Sequence, residues 1–147
     1  MIKSPCPLSG VRAPTPPRHA HTGDAGIDLA LNHFLAVPPG GHKLGSTGVH
    51  VAIPHGHVGM IFVRSSTGIK RNLVLSNGTG IIDSGYRGEL LISLHNTGHK
   101  RQNIRPGEYI AQLVTVPANT AGATQVAQLA DSERGSNGIG SSDHGTV

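Results

Sequence analysis

Between Ile27 and Val116 the apolar side chains recur at every second position, in short runs that each close on a glycine or proline turn. A period of two sends successive side chains to opposite faces, which describes a half-buried strand and excludes an amphipathic helix. Val49, Val51 and Ile53 share one face, Val58, Met60 and Phe62 another, and Leu90, Ile92 and Leu94 a third. Pro38-Pro39-Gly40-Gly41, Pro54-His55-Gly56, Ser76-Asn77-Gly78 and Arg105-Pro106-Gly107 separate the runs, each a turn signal. Many short strands at fairly even spacing form a sandwich or barrel, so the expected fold class is all-β. Only Ser66 to Asn72 is long enough for a turn or two of helix, and Gly68 weakens it.

The ends differ from this middle. Pro5, Pro7, Pro14, Pro16 and Pro17 forbid a helix or central strand near the start, leaving an edge segment or arm. From Asp131 the chain reads Ser132-Glu133-Arg134-Gly135-Ser136-Asn137-Gly138-Ile139-Gly140-Ser141-Ser142, too polar and glycine-rich to order itself without a ligand or neighbour. With 147 residues there is material for one core. The expected division is a β domain over residues 1–130 and a flexible arm over residues 131–147.

Composition excludes several functions. Apolar residues make up 36% of the chain and no run is long enough for a membrane helix, so no membrane partner is expected. Met1 to Pro5 opens no apolar signal segment, and Cys6 is the sole cysteine; both point to the cytoplasm. The net charge of +4 invites a nucleic-acid reading, but the basic residues are dispersed and only two Tyr and two Phe could stack bases. No nucleic-acid partner is expected; the surface suits a small polyanion. Of the ten histidines, His19 with His21 and His55 with His57 have same-face strand spacing, but without cysteine pairs they read as surface rings. His99-Lys100-Arg101 reads as a solvated loop.

Four segments combine glycine with groups that can hold a phosphate or a base. Asp24-Ala25-Gly26-Ile27-Asp28-Leu29-Ala30 on its own is a turn entering a strand. Val63-Arg64-Ser65-Ser66-Thr67-Gly68 sets a guanidinium fork beside two hydroxyls, an anion site or simply a serine helix cap. Asn77 to Glu89 reads as a β-hairpin with glycines on both arms, so a flat base could approach its backbone. The tail around Arg134 is either a disordered terminus or part of a site.

In order and approximate spacing these segments resemble the motifs of the homotrimeric dUTPase family over about residues 20–145. Gly80-Ile81-Ile82-Asp83-Ser84-Gly85-Tyr86-Arg87-Gly88-Glu89 matches the third motif almost residue for residue. The resemblance implies a distorted jelly-roll barrel whose sites are shared in a homotrimer, hydrolysing dUTP to dUMP and pyrophosphate with Mg²⁺. It implies that Asp28 holds water around the metal, which is bound chiefly by phosphate oxygens. Arg64, Ser65 and Ser66 would contact phosphates, and Gln112, in the fourth motif, would also bind substrate. Asn77, Gly80 and the backbone of Ile81 and Ile82 would bind uracil. Asp83 would activate the attacking water and meet the 3′-OH, and Tyr86 would exclude a 2′-OH. Arg134, Ile139, Gly140, Ser141 and Ser142 would close over the substrate.

Two positions depart from the family pattern. Tyr109 stands where the fourth motif usually begins with arginine, so a supporting ion pair is missing or moved. Ile139 stands where an aromatic often stacks on uracil, which implies weaker stacking. A dCTP deaminase shares the fold and an arginine-serine segment, but its base is a glutamate in a tryptophan-containing stretch and this chain has no Trp. A non-catalytic nucleotide-sensing module is the other alternative; Asp83, Arg64 and Arg134 speak against it.

Overall fold

The computed structural model describes Leu8, residues 10–133 and residues 135–136. Ten strands and one helix alternate with turns: β1 (Gly10–Arg12), β2 (Ile27–Ala30), β3 (Leu35–Val37), β4 (His42–Ala52), β5 (His57–Val63), α1 (Ser65–Arg71), β6 (Leu73–Leu75), β7 (Gly80–Ile82), β8 (Glu89–Asn96), β9 (Gln102–Ile104) and β10 (Tyr109–Pro117). All pairings between them are antiparallel. One sheet has the order β1-β4-β8-β6, the second β2-β10-β5-β7, and β3 pairs with β9. The fold class expected from the alternating runs is the one observed. No helix among the described residues is long and apolar enough to cross a membrane.

The core is built from the alternating residues. Val49, Val51 and Ile53 meet Leu90, Ile92 and Leu94 from the first sheet, packed with Leu29, Ile61, Ile110 and Leu113 of the second, all at most 3% exposed. The proline-rich start supplies β1, an edge strand, where missing donors do least harm.

Three details differ from the sequence expectation. On β5 the Val58, Met60 and Phe62 face is only half-buried, and Gly59 and Ile61 turn inward. Both faces are apolar, so periodicity cannot rank them; the neighbouring strands decide. The outward row meets a second one, with Val58 opposite Val116, Met60 opposite Val114 and Phe62 opposite Gln112. The segment from Asn77 to Glu89 is not a paired hairpin: β7 pairs with β5 and β8 with β4 and β6, so the chain turns a corner between the sheets. Local turn signals mark the bend but not the partners. The helix begins at Ser65 with Arg64 as its N-cap residue and no side-chain cap, so neither serine serves as the cap. Asn72 closes it in a left-handed conformation, which asparagine tolerates.

Candidate functional site

The described sequence-derived site residues, Ser66 apart, fall into two clefts with no lining residue in common. The first, about 260 Å³, is lined by Asn77, Gly80, Ile81, Ile82, Asp83 and Tyr86, together with Glu89. Its floor is β7, the outermost strand of its sheet. An edge strand leaves alternate N–H and C=O groups without a ladder partner, and these can read a planar base. A tight turn follows, in which Tyr86 N donates to Asp83 O at 3.0 Å. The Asp83 side chain is exposed and, among the described residues, makes no hydrogen bond or ion pair. The Tyr86 hydroxyl donates to Glu89 O at 2.9 Å, and its ring lies directly over Gly88, where a methyl group would come within 2.3 Å of the hydroxyl oxygen. Any larger residue at 88 would displace the ring.

The second cleft, about 360 Å³, is lined by Asp28, Arg64, Ser65 and Gln112 with Asp24 and His21. Its centre is an ion pair: Arg64 Nε lies 3.2 Å from the buried Asp28 carboxylate. Arg64 Nη1 also donates to Tyr109 O at 3.2 Å, so the guanidinium is held at two points and keeps further donors for an anion. Ser65 and Ser66 hydroxyls make no hydrogen bond among the described residues. Gln112 lies opposite Asp28 across β2 and β10, and its amide donates to Val63 O.

Tyr109, the departure in the fourth motif, takes a structural part. Its hydroxyl donates to Pro16 O at 3.2 Å and the Arg18 guanidinium stacks 4.6 Å from its ring centroid. Arg18 also bridges Asp28 through the main chain. The proline segment is thereby tied down beside the second cleft.

A side chain at 26 would require Gln112 to move. A Cβ there would lie 2.2 Å from Gln112 Oε1 and 3.2 Å from Gln112 Cβ. Gly26→Ala is therefore expected to push the Gln112 amide aside and lower kcat/KM for dUTP roughly tenfold, because small misplacements of a contacting group are costly. Steady-state kinetics beside a thermal melt checks this; an unchanged kcat/KM would take Gln112 out of the site.

Residues that the sequence reading missed are also present. Glu89 lines the first cleft, and His21 and Asp24 the second. Asp24 and Glu89 stand at the ends of recognised motifs, which was the available signal; His21 was marked only by its spacing from His19, which reads as a surface ring. Arg134, Ile139, Gly140, Ser141 and Ser142 lie outside the described residues.

A family model described as dUTPase matches residues 12–143. A deoxyuridine 5′-triphosphate nucleotidohydrolase of Cutibacterium acnes is 43% identical over 126 residues, 85% of this chain and 83% of the relative. The chain belongs to the dUTPase family. A Burkholderia mallei nucleotidohydrolase of the same name is 43% identical over 88% of this chain and 89% of its own. Among solved structures, the Staphylococcus bacteriophage 80alpha dUTPase with dUpNHpp superposes with a TM-score of 0.82 at 32% identity, covering 90% of this chain and 96% of that one. A mutant dUTPase from phage phi11 of S. aureus, in which a structural Mg(II) ion is coordinated, gives 0.74 at 29% identity, over 81% and 96%. The segments that resemble the family's third motif line one cleft, and those that resemble its first, second and fourth motifs line the other.

Proposed function

We infer that this dUTPase hydrolyses dUTP to dUMP and pyrophosphate, keeping uracil out of DNA and supplying dUMP for thymidylate synthesis. The observation that carries this reading is the unengaged Asp83 carboxylate beside a base-sized cleft floored by an edge strand. Backbone at Ile81 and Ile82 donates to uracil O4 and accepts from N3–H; cytosine reverses both demands and leaves them unpaired. Asn77 and Gly80 complete the base contact, and Tyr86 beneath the sugar excludes a 2′-OH. Asp83 takes a proton from water as the water oxygen bonds to the α-phosphorus. The bond from that phosphorus to the bridging oxygen breaks, and pyrophosphate leaves with its charge. Arg64, Ser65, Ser66 and Gln112 hold the phosphates from the second cleft.

The donor set fits magnesium bound mainly through substrate. No group of three or more His, Cys, Asp or Glu among the described residues could cage an ion, yet the Asp28 carboxylate lines the phosphate cleft. When bound with the triphosphate, Mg²⁺ neutralises charge gathering on the pyrophosphate. Asp28 would hold water in that ion's shell and keep Arg64 oriented.

The assembly we propose is a homotrimer with shared sites, working in the cytoplasm. Each cleft is near or below the lower end of ligand pockets, roughly 300–1,000 Å³, and neither alone holds base and triphosphate contacts together. Joining a base cleft from one copy to a phosphate cleft from another completes a site. The outward Val58, Met60, Val114 and Val116 row supplies an apolar surface for such packing. Residues 131–147 then form an arm that closes over it, bringing Arg134, Ile139, Gly140, Ser141 and Ser142. Pyrophosphate release from dUTP with magnesium tests the activity, and a solution mass tests the trimer. No release would leave a non-catalytic binding module; a monomeric mass with full activity would remove the shared site.

A further inference from the structure

We propose that Glu89 is a positioning residue for sugar selection, its carboxylate fixing the main chain that holds the Tyr86 ring. The proposal rests on the reading of Tyr86 as the group that excludes a 2′-OH. Tyr86 is 42% exposed and sits on a turn, where a ring without restraint samples several rotamers. Its one side-chain hydrogen bond among the described residues goes to the carbonyl of Glu89, so the ring is placed by residue 89.

Residue 89 is held by the neighbouring strand β4. Its carboxylate oxygen Oε1 accepts the Ser46 hydroxyl and the Gly48 N–H, the latter at 2.6 Å. Both donors lie where β4 loses register with β8, between Ser46 and His50. The bulge turns a backbone donor out of the ladder and toward the carboxylate. An ionised acceptor makes each bond stronger than a neutral one would. These two donors, chiefly the Ser46 hydroxyl, hold the Glu89 carboxyl below its ordinary value, with His50 nearby adding to the effect.

The rest of the turn is braced by the same strand pair. His50 shares a hydrogen bond with Arg87 O at 3.0 Å, and Arg87 Nη1 donates to Ser84 O at 2.7 Å and to Tyr86 O at 2.8 Å. Residues 83 to 89 therefore form one unit that carries both Asp83 and Tyr86. The Glu89 carboxylate fastens that unit to β4. A loosened unit would let the ring withdraw and admit a 2′-OH, which raises UTP hydrolysis relative to dUTP. A merely structural loss would lower both rates together and leave their ratio unchanged.

The test is kcat/KM for UTP and for dUTP in the full-length parent and in Tyr86→Ala, Glu89→Ala, Glu89→Gln and Ser46→Ala. Tyr86→Ala is expected to raise the UTP to dUTP ratio, which establishes the gate. Glu89→Ala should raise it roughly tenfold, the size of losing charge-assisted hydrogen bonds. Ser46→Ala should move it the same way by a smaller factor, and provides the reading if Glu89→Ala does not fold. Glu89→Gln keeps an acceptor for both donors and should stay within about threefold of the parent. If Tyr86→Ala raises the ratio while Ser46→Ala and any folded Glu89→Ala leave it at the parental value, Glu89 has no part in selection. If Tyr86→Ala itself leaves the ratio unchanged, the gate is elsewhere and the proposal falls with it.

Discussion

Replacing Asp83 by Asn is expected to leave dUTP binding intact while turnover falls roughly a hundredfold or more, the range of a lost general base. The substitution keeps the shape of the side chain and its place after β7 but removes the group that accepts a proton. Because the Asp83 carboxylate has no protein partner among the described residues, nothing in the fold depends on its charge. The melting temperature should therefore stay close to that of the parent. Affinity for a non-hydrolysable dUTP analogue, measured beside steady-state turnover, separates binding from chemistry. Near-normal turnover would assign the base to another residue; weaker analogue binding with normal turnover at saturation would make Asp83 a sugar contact only.

Ending the chain before Ser132 is the second large effect. Among the described residues the last strand stops at Pro117 and the buried hydrophobic residues all lie between Leu29 and Leu113, so the shortened protein retains this core and its outward apolar row. It should fold and assemble as the parent does. It loses Arg134, Gly140, Ser141 and Ser142, the groups we place over the triphosphate. Removing one preorganised donor at developing charge costs on the order of a hundredfold in kcat, and the arm supplies several. A fall of at least about that size, at an unchanged solution mass, is the expected outcome. Full-rate hydrolysis by the shortened chain would show that residues 131–147 are not a lid, and a changed mass would make them part of the assembly instead.

Much of the candidate site was legible because its residues are close in sequence. Asp83 and Tyr86 share a single turn, and Arg64, Ser65 and Ser66 a single strand-to-helix junction, so motif spacing already brought them together. The strand faces of Val49 to Ile53 and of Leu90 to Leu94 were readable for a similar reason: side-chain alternation is a local property of extended backbone. The same rule could not rank the two apolar faces of β5, since which face is buried is set by packing against the other sheet, whose strands come from elsewhere in the chain. Nor could turn signals show that β7 and β8 leave the Asp83 corner for different sheets. The ion pair of Arg64 with Asp28, the stacking of Arg18 on Tyr109, and the grip of Ser46 and Gly48 on Glu89 join residues whose sequence neighbours give no hint of each other. Composition and period thus determined that this chain forms short strands joined by glycine-rich loops, and the motif resemblance alone pointed to which loops bind a ligand. Which loops share a cleft, and which side chains hold them in place, depended on long-range strand register, which only the packed sheets specify.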